Sequence, residues 1–122
     1  MTMPTVLVVD DAVFMRSTIK RMLENQQFEV VGEASNGLEA IDMYRKLLPD
    51  VVTMDITMPR MTGIEAVKAI IAEYPDAKIV MVTALGQQKL IVDALEYGAK
   101  DFITKPFDPD QMVHVLQNVT SD

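Results

Sequence analysis

Val51-Val52-Thr53-Met54-Asp55-Ile56-Thr57-Met58-Pro59 is an almost continuous apolar run, entered from Pro49-Asp50 and left toward a second proline. Its length and β-branched residues suit a strand buried on both faces, as in a parallel sheet. Such a strand has no ordinary cause to end in a carboxylate. An ionised Asp at the rim of an apolar layer is costly unless it is solvated, paired or metal-bound. Asp55 is therefore either turn chemistry or a placed reactive group, and three other runs favour the second. Val6-Leu7-Val8-Val9 ends in Asp10 and Asp11, Ile79-Val80-Met81-Val82 ends in Thr83, and Phe102-Ile103-Thr104 ends in Lys105-Pro106.

Helical patterns separate these runs. Met15, Ile19, Met22 and Leu23 recur at i, i+4, i+7 and i+8, which predicts a helix facing the sheet and running to about Asn25. Phe28 to Ala34 mixes polarities, with Glu29 and Glu33 on either side of Val31, and reads as an edge strand. Asn36-Gly37-Leu38-Glu39 is a variant capping box, after which Ile41, Tyr44 and Leu48 carry a helix to Pro49. Thr62-Gly63-Ile64-Glu65 is a capping box in the strict sense, with Ile64, Val67, Ile71 and Tyr74 as the buried face before Pro75. Gly86-Gln87-Gln88 opens a weaker helix with Ile91, Ala94 and Leu95 inward and Gly98 just past its end. Asp108-Pro109-Asp110-Gln111 starts the last helix, whose Met112, Leu116 and Val119 face the core.

Five β/α pairs in this order predict an α/β fold, a doubly wound five-stranded parallel sheet with helices on both faces. The carboxyl ends of such strands share one edge, where ligands bind at the point of strand-order reversal. Three acids, a hydroxyl and an ammonium then meet in one crevice.

Composition sets the outer limits. With 122 residues and 49% hydrophobic content, the chain is read as one domain, 1–122, with one core. A net charge of −7 argues against nucleic acid or an anionic membrane as direct partner and favours a basic surface on a partner protein. The absence of cysteine excludes disulfides and thiolate metal sites. No apolar run approaches the roughly 20 residues that span a bilayer, and the N-terminus lacks a signal-peptide pattern. A soluble cytoplasmic protein without membrane insertion is the expectation.

Carboxylates within ~4 Å of one another repel by ~4 kcal/mol per pair at an effective dielectric near 20, so three of them demand a cation. Oxygen ligation points to Mg²⁺, or to Mn²⁺, rather than zinc. A hard ion held this way leaves coordination positions for phosphate oxygens. Asp55, alone at the end of the most buried strand, is the candidate nucleophile, since carboxylates form acyl phosphates and Lys105 would neutralise charge on the transferring oxygens. Asp10 and Asp11 would hold the metal, the Thr57 backbone carbonyl would complete its shell, and Thr83 would donate to a phosphoryl oxygen. Taken singly, Asp11 reads as a helix cap, Thr83 as an ordinary strand residue and Lys105 as a solvated charge. Their joint placement outweighs these readings. His114 falls in the last helix, away from the crevice, as a surface or boundary residue, and the ten methionines mostly read as adaptable core filler.

Strand-Asp10-Asp11, strand-Asp55 with Met58-Pro59 and Gly63, strand-Thr83-Ala84, and Lys105-Pro106-Phe107 together resemble the receiver domain of two-component response regulators. The resemblance covers essentially the whole chain. It implies a flavodoxin-like (βα)5 sheet of order 2-1-3-4-5, so this order is carried over rather than read from the residues. It implies that Asp55 takes a phosphoryl group from the phosphohistidine of a sensor kinase, with Mg²⁺ on Asp10, Asp11, Asp55 and the Thr57 carbonyl. It implies a Lys105 contact to the phosphoryl group across a cis Lys105-Pro106 bond, and a switch in which Thr83 moves toward the phosphate while an aromatic residue turns inward. That aromatic is Phe102, where many chemotaxis members carry Tyr. The segments around Phe14-Met15-Arg16, Ala84-Leu85-Gly86-Gln87-Gln88 and Gly98-Ala99-Lys100-Asp101-Phe102 are most like those of stand-alone chemotaxis members, whose output partner is the flagellar motor switch. A phosphatase acting on the phosphorylated form is a further implied partner.

Other classes fit less well. A Mg²⁺-dependent phosphatase of the haloacid dehalogenase type would want Asp-x-Asp after the first strand, and a nucleotide binder would want a Gly-rich phosphate loop there. Within the family the alternatives are a phosphorelay intermediate or a receiver cut from a DNA-binding regulator. The stop at Thr120-Ser121-Asp122 fits a complete single domain and a receiver boundary equally.

Overall fold

A computed structural model describes residues 3–121, so Asp122 of the C-terminal stop lies outside the described residues. The chain alternates β1 (Thr5–Val9), α1 (Val13–Glu24), β2 (Glu29–Ala34), α2 (Gly37–Leu47), β3 (Val51–Asp55), α3 (Gly63–Glu73), β4 (Ile79–Thr83), α4 (Gln88–Glu96), β5 (Asp101–Thr104) and α5 (Pro109–Thr120). All neighbouring strands are parallel, in the order β2-β1-β3-β4-β5. The expected doubly wound sheet and its order are both present, with the acid-flanked β2 at an edge.

Alternation along the strands builds two apolar layers. Leu7, Val52, Met54, Ile79 and Met81 pack with Ala40 and Tyr44 of α2, Val67 and Ile70 of α3, and Ile91 and Ala94 of α4. Val6, Val8, Val80, Val82 and Ile103 pack with Ile19 and Leu23 of α1 and with Met112 and Leu116 of α5. Every residue of β3 and β4 is buried, which is why these strands read as continuous apolar runs.

The caps account for most helix starts. Thr62 Oγ1 accepts from the Glu65 amide while Glu65 Oε1 accepts from the Thr62 amide, closing the box. Asn36 caps α2 through the Glu39 amide, and Asp108 caps α5 with Pro109 behind it. Two inward assignments are corrected. Leu48 is the left-handed C-cap of α2 (φ 45°) and is exposed, because the helix ends one residue earlier and Leu47 packs on the core instead. Leu95 is also exposed, since Ile91 and Ala94 already fill the inner stripe of α4.

Thr53 sits at the centre of β3 on the same face as Val51, with no accessible surface. Its Oγ1 is the one buried side-chain oxygen among the described residues without a hydrogen-bond partner in the protein. Thr53→Val replaces that hydroxyl with a methyl group of similar size and is expected to stabilise the fold by about 1 kcal/mol. A urea midpoint equal to or below that of the wild type would contradict this.

Candidate functional site

The crevice is assembled from strand ends. The Asp10 amide donates to the Ala34 carbonyl at 3.0 Å, prolonging the β1–β2 ladder by one bond and fixing where the side chain leaves the sheet. Asp10 Oδ1 then accepts from the Ala12 amide at 2.9 Å. Arg16, one turn into α1, secures this loop: its Nη1 donates to the Asp10 carbonyl at 2.6 Å and its Nε pairs with Glu33 at 3.0 Å. Asp11 is exposed and does not cap α1, whose N-cap is Ala12 without a side-chain bond. Asp11 is therefore not the helix cap that it resembles when taken singly.

Asp55 is the last residue of β3, still in register opposite Val82. Beyond it, the Gly63 amide donates to the Ile56 carbonyl at 2.7 Å and brings the start of α3 against the strand. Thr83 ends β4 without exposed surface, and its hydroxyl reaches the Ala84 carbonyl at 3.3 Å. The Lys105 amide donates to the Thr83 carbonyl at 2.6 Å, placing the lysine over the same edge, and the Lys105–Pro106 peptide is cis.

Asp10, Asp11 and Asp55 each offer a carboxylate oxygen, and these atoms lie within 4.8 Å of one another. Lys105 Nζ stands 3.1 Å from Asp10 Oδ2 and 3.6 Å from Asp55 Oδ2. Burial pushes the Asp55 carboxyl up to about 6; Lys105 opposes the rise, whereas Asp10 and Asp11 add to it. One ammonium against three carboxylates leaves surplus negative charge, and the oxygen-only donor set fits a hard divalent cation, with exposed Asp11 as the approach from solvent.

The structure thus brings Asp10, Asp11, Asp55 and Lys105 together, with Thr83 at the adjoining strand end. Thr57 follows Asp55 by two residues, and its exposed hydroxyl accepts from Gln87 Nε2 at 2.8 Å. Phe102 faces outward with 38% of its surface exposed, in an apolar groove with Leu85, Val92 and Leu95. His114 is exposed on α5, beside Asn118. Arg16 and Gln87 play structural parts that their place in the sequence does not announce. Arg16 had a faint signal, an Arg on the first helix with Glu33 at the end of the neighbouring strand, but Gln87 had none.

The model of the response regulator receiver domain matches residues 6–117. The chain belongs to this family. The receiver is 53% identical to the chemotaxis protein CheY of Listeria monocytogenes over 111 residues, 91% of this chain and 93% of that protein. It is 51% identical to the CheY of Thermotoga maritima over 115 residues, 94% and 96% of the two chains. Among solved structures it resembles a chain of the CheX–CheY–BeF₃–Mg²⁺ complex of Borrelia burgdorferi, with TM-score 0.92 and 35% identity over 97% of this receiver and 90% of that chain. The chain is a CheY-like receiver of two-component signalling. No helix among its described residues is long and apolar enough to cross a membrane.

Proposed function

We propose that this receiver is a phosphorylation-activated switch, in which Asp55 accepts a phosphoryl group from the phosphohistidine of a sensor kinase in a Mg²⁺-dependent reaction. The observation that carries the reading is the convergence of three carboxylates at one sheet edge, two of them, Asp10 and Asp55, within ion-pair reach of the Lys105 ammonium. A carboxylate oxygen of Asp55 attacks phosphorus, the P–N bond to the donor imidazole breaks, and the ring nitrogen keeps the electron pair. Lys105, within ion-pair reach of Asp10 and Asp55, offsets charge on the transferring oxygens. Magnesium, held by Asp10, Asp11, Asp55 and the Thr57 carbonyl, would supply the remaining positive charge. The solved relative whose complex contains Mg²⁺ and BeF₃ supports this assignment. The protein turns over no outside substrate and catalyses only its own phosphorylation and dephosphorylation, as a single cytoplasmic domain spanning 1–122.

The output surface is the face formed by α4, β5 and α5, where Leu85, Val92 and Phe102 are exposed. Its partner in this reading is the flagellar motor switch, with a phosphatase ending the signal. A charge-assisted bond from Thr83 contributes ~1.5–3 kcal/mol. Reversing a 1:99 equilibrium needs ~5.5 kcal/mol, so partner binding supplies the remainder. Thr83→Ala is therefore expected to weaken partner binding about tenfold or more, compared at equal extents of Asp55 labelling. Equal affinity of the two phosphorylated proteins would break the link between Thr83 and the output face.

Acetyl phosphate with Mg²⁺ should add one phosphoryl group, at Asp55, and chelation of the metal should prevent it. Beryllofluoride with Mg²⁺ should then make the protein capture flagellar switch components. Capture of a phosphotransferase instead would mark a relay intermediate, and repeated hydrolysis of a phosphate ester would mark a phosphatase.

A further inference from the structure

Gln87 stands at the N-cap position of α4, yet its side chain makes no capping bond there. Its Nε2 donates to Thr57 Oγ1 at 2.8 Å, and its Oε1 accepts from the Ala84 amide, also at 2.8 Å. Thr57 lies two residues past Asp55, and Ala84 is the residue after Thr83. One side-chain amide therefore ties the loop that leaves the acceptor strand to the loop that leaves β4. Packing does little to fix the second loop. Ala84, Leu85 and Gly86 are exposed, and a Cβ at Gly86 would meet nothing within 4 Å. Besides the 3.3 Å contact of the Thr83 hydroxyl with the Ala84 carbonyl, the two bonds of Gln87 tie the start of this loop to the Thr57 segment.

We infer that Gln87 is a positioning residue for the phosphoryl site. It fixes the Thr57 segment and the Thr83-Ala84 segment against each other and limits the approach of water to phosphorylated Asp55. The inference rests on Asp55 being the acceptor. In the hydrolysis that ends the signal, a water oxygen bonds to phosphorus and the P–O bond to Asp55 breaks. The carboxylate recovers the electron pair, and the protons of the water go to inorganic phosphate and solvent. Releasing the latch exposes the phosphoryl group to that attack and shortens its lifetime.

The test uses the full chain with Gln87→Met, which keeps the bulk but neither bond, and Gln87→Glu, whose carboxylate accepts from both the Ala84 amide and the Thr57 hydroxyl. In metal-free protein, hydrogen exchange at the Ala84 amide should quicken about five- to tenfold in Gln87→Met and stay near the wild-type rate in Gln87→Glu. After labelling with acetyl phosphate and Mg²⁺, release of phosphate from Gln87→Met should also quicken by about fivefold, with the urea midpoint of unfolding little changed. An unchanged exchange rate or phosphate-release rate in Gln87→Met overturns the inference, as does equal loss of Ala84 protection in both variants. The exchange arm needs no phosphorylation. Failure of the wild type to take label therefore strikes at the acceptor reading, whereas a labelled wild type with an indifferent Gln87→Met strikes at the latch alone.

Discussion

Asp55→Asn is expected to lose the phosphoryl label while gaining stability in metal-free buffer. The carboxamide is a poor nucleophile, so labelling by acetyl phosphate should fall to background, and persistent label at position 55 would refute the acceptor assignment. The stability gain follows from the same geometry. Burial, together with repulsion from Asp10 and Asp11, holds the Asp55 carboxyl at about 6 in the folded protein, against 3.8 as the ordinary value. A folded-state value above the unfolded one means that the fold binds the proton more tightly. Below about pH 4 the group is protonated in both states and costs nothing. Between about pH 4 and 6 the unfolded chain ionises first and the wild type loses stability. Above that window the penalty is complete, about 2–3 kcal/mol at neutral pH. The advantage of Asp55→Asn in urea melts with chelator should therefore open across this window and level off above it. Mg²⁺ should narrow the gap by stabilising the wild type. A wild type more stable than Asp55→Asn at pH 7 without metal would show that Lys105 already neutralises the cluster.

Gly63→Ala is expected to destabilise the protein by about 3 kcal/mol or more. A Cβ at Gly63 would overlap the Asp55 carbonyl oxygen, and would lie 3.0 Å from the Asp55 carbonyl carbon and 3.1 Å from the Ile56 Cα. All three are backbone atoms of β3 and its continuation, so no rotamer change relieves the clash. The first turn of α3 must move off β3, disturbing the 2.7 Å bond from the Gly63 amide to Ile56. That displacement bears directly on Asp55 and Thr57, so Mg²⁺ affinity should fall along with the urea midpoint. Gly86 supplies the contrast, since a Cβ there meets open space and only its φ of 90° opposes a side chain. Gly86→Ala should cost about 1 kcal/mol and leave Mg²⁺ affinity nearly untouched. Equal stability losses in the two variants would mean that the close approach at Gly63 is not what holds α3 in place.

The sheet was legible because burial on both faces leaves so little freedom of composition. Val51–Asp55 and Ile79–Thr83 are buried throughout, and their edges coincide with the polar residues that end the runs. The acid cluster was legible for the related reason that carboxylates at the mouths of apolar strands need a common purpose. Helix phase was less secure. Leu48 fits the stripe of α2 by spacing, but Pro49 follows it and the chain turns left-handed one residue before the expected end. Leu95 follows Ile91 by one turn and so fits the stripe by spacing, but the buried stripe of α4 runs from Ile91 to Ala94, on the other side of Ile91 from Leu95. Gln87 was illegible on principle. Its partners are fixed by how two loops approach in space, and a helix-opening Gln looks the same whether it points to solvent or to Thr57.

The clustered carboxylates and their ammonium come from positions 10, 11, 55 and 105, on segments that meet only when β1, β3 and β5 have taken their places in one sheet. A nascent chain still missing its last strand, or a proteolytic remnant that has shed it, has no Lys105 to set against its acids. Such fragments should be silent toward the phosphodonor, so the cell's signal would be carried by intact molecules alone and would not be diluted by its own debris.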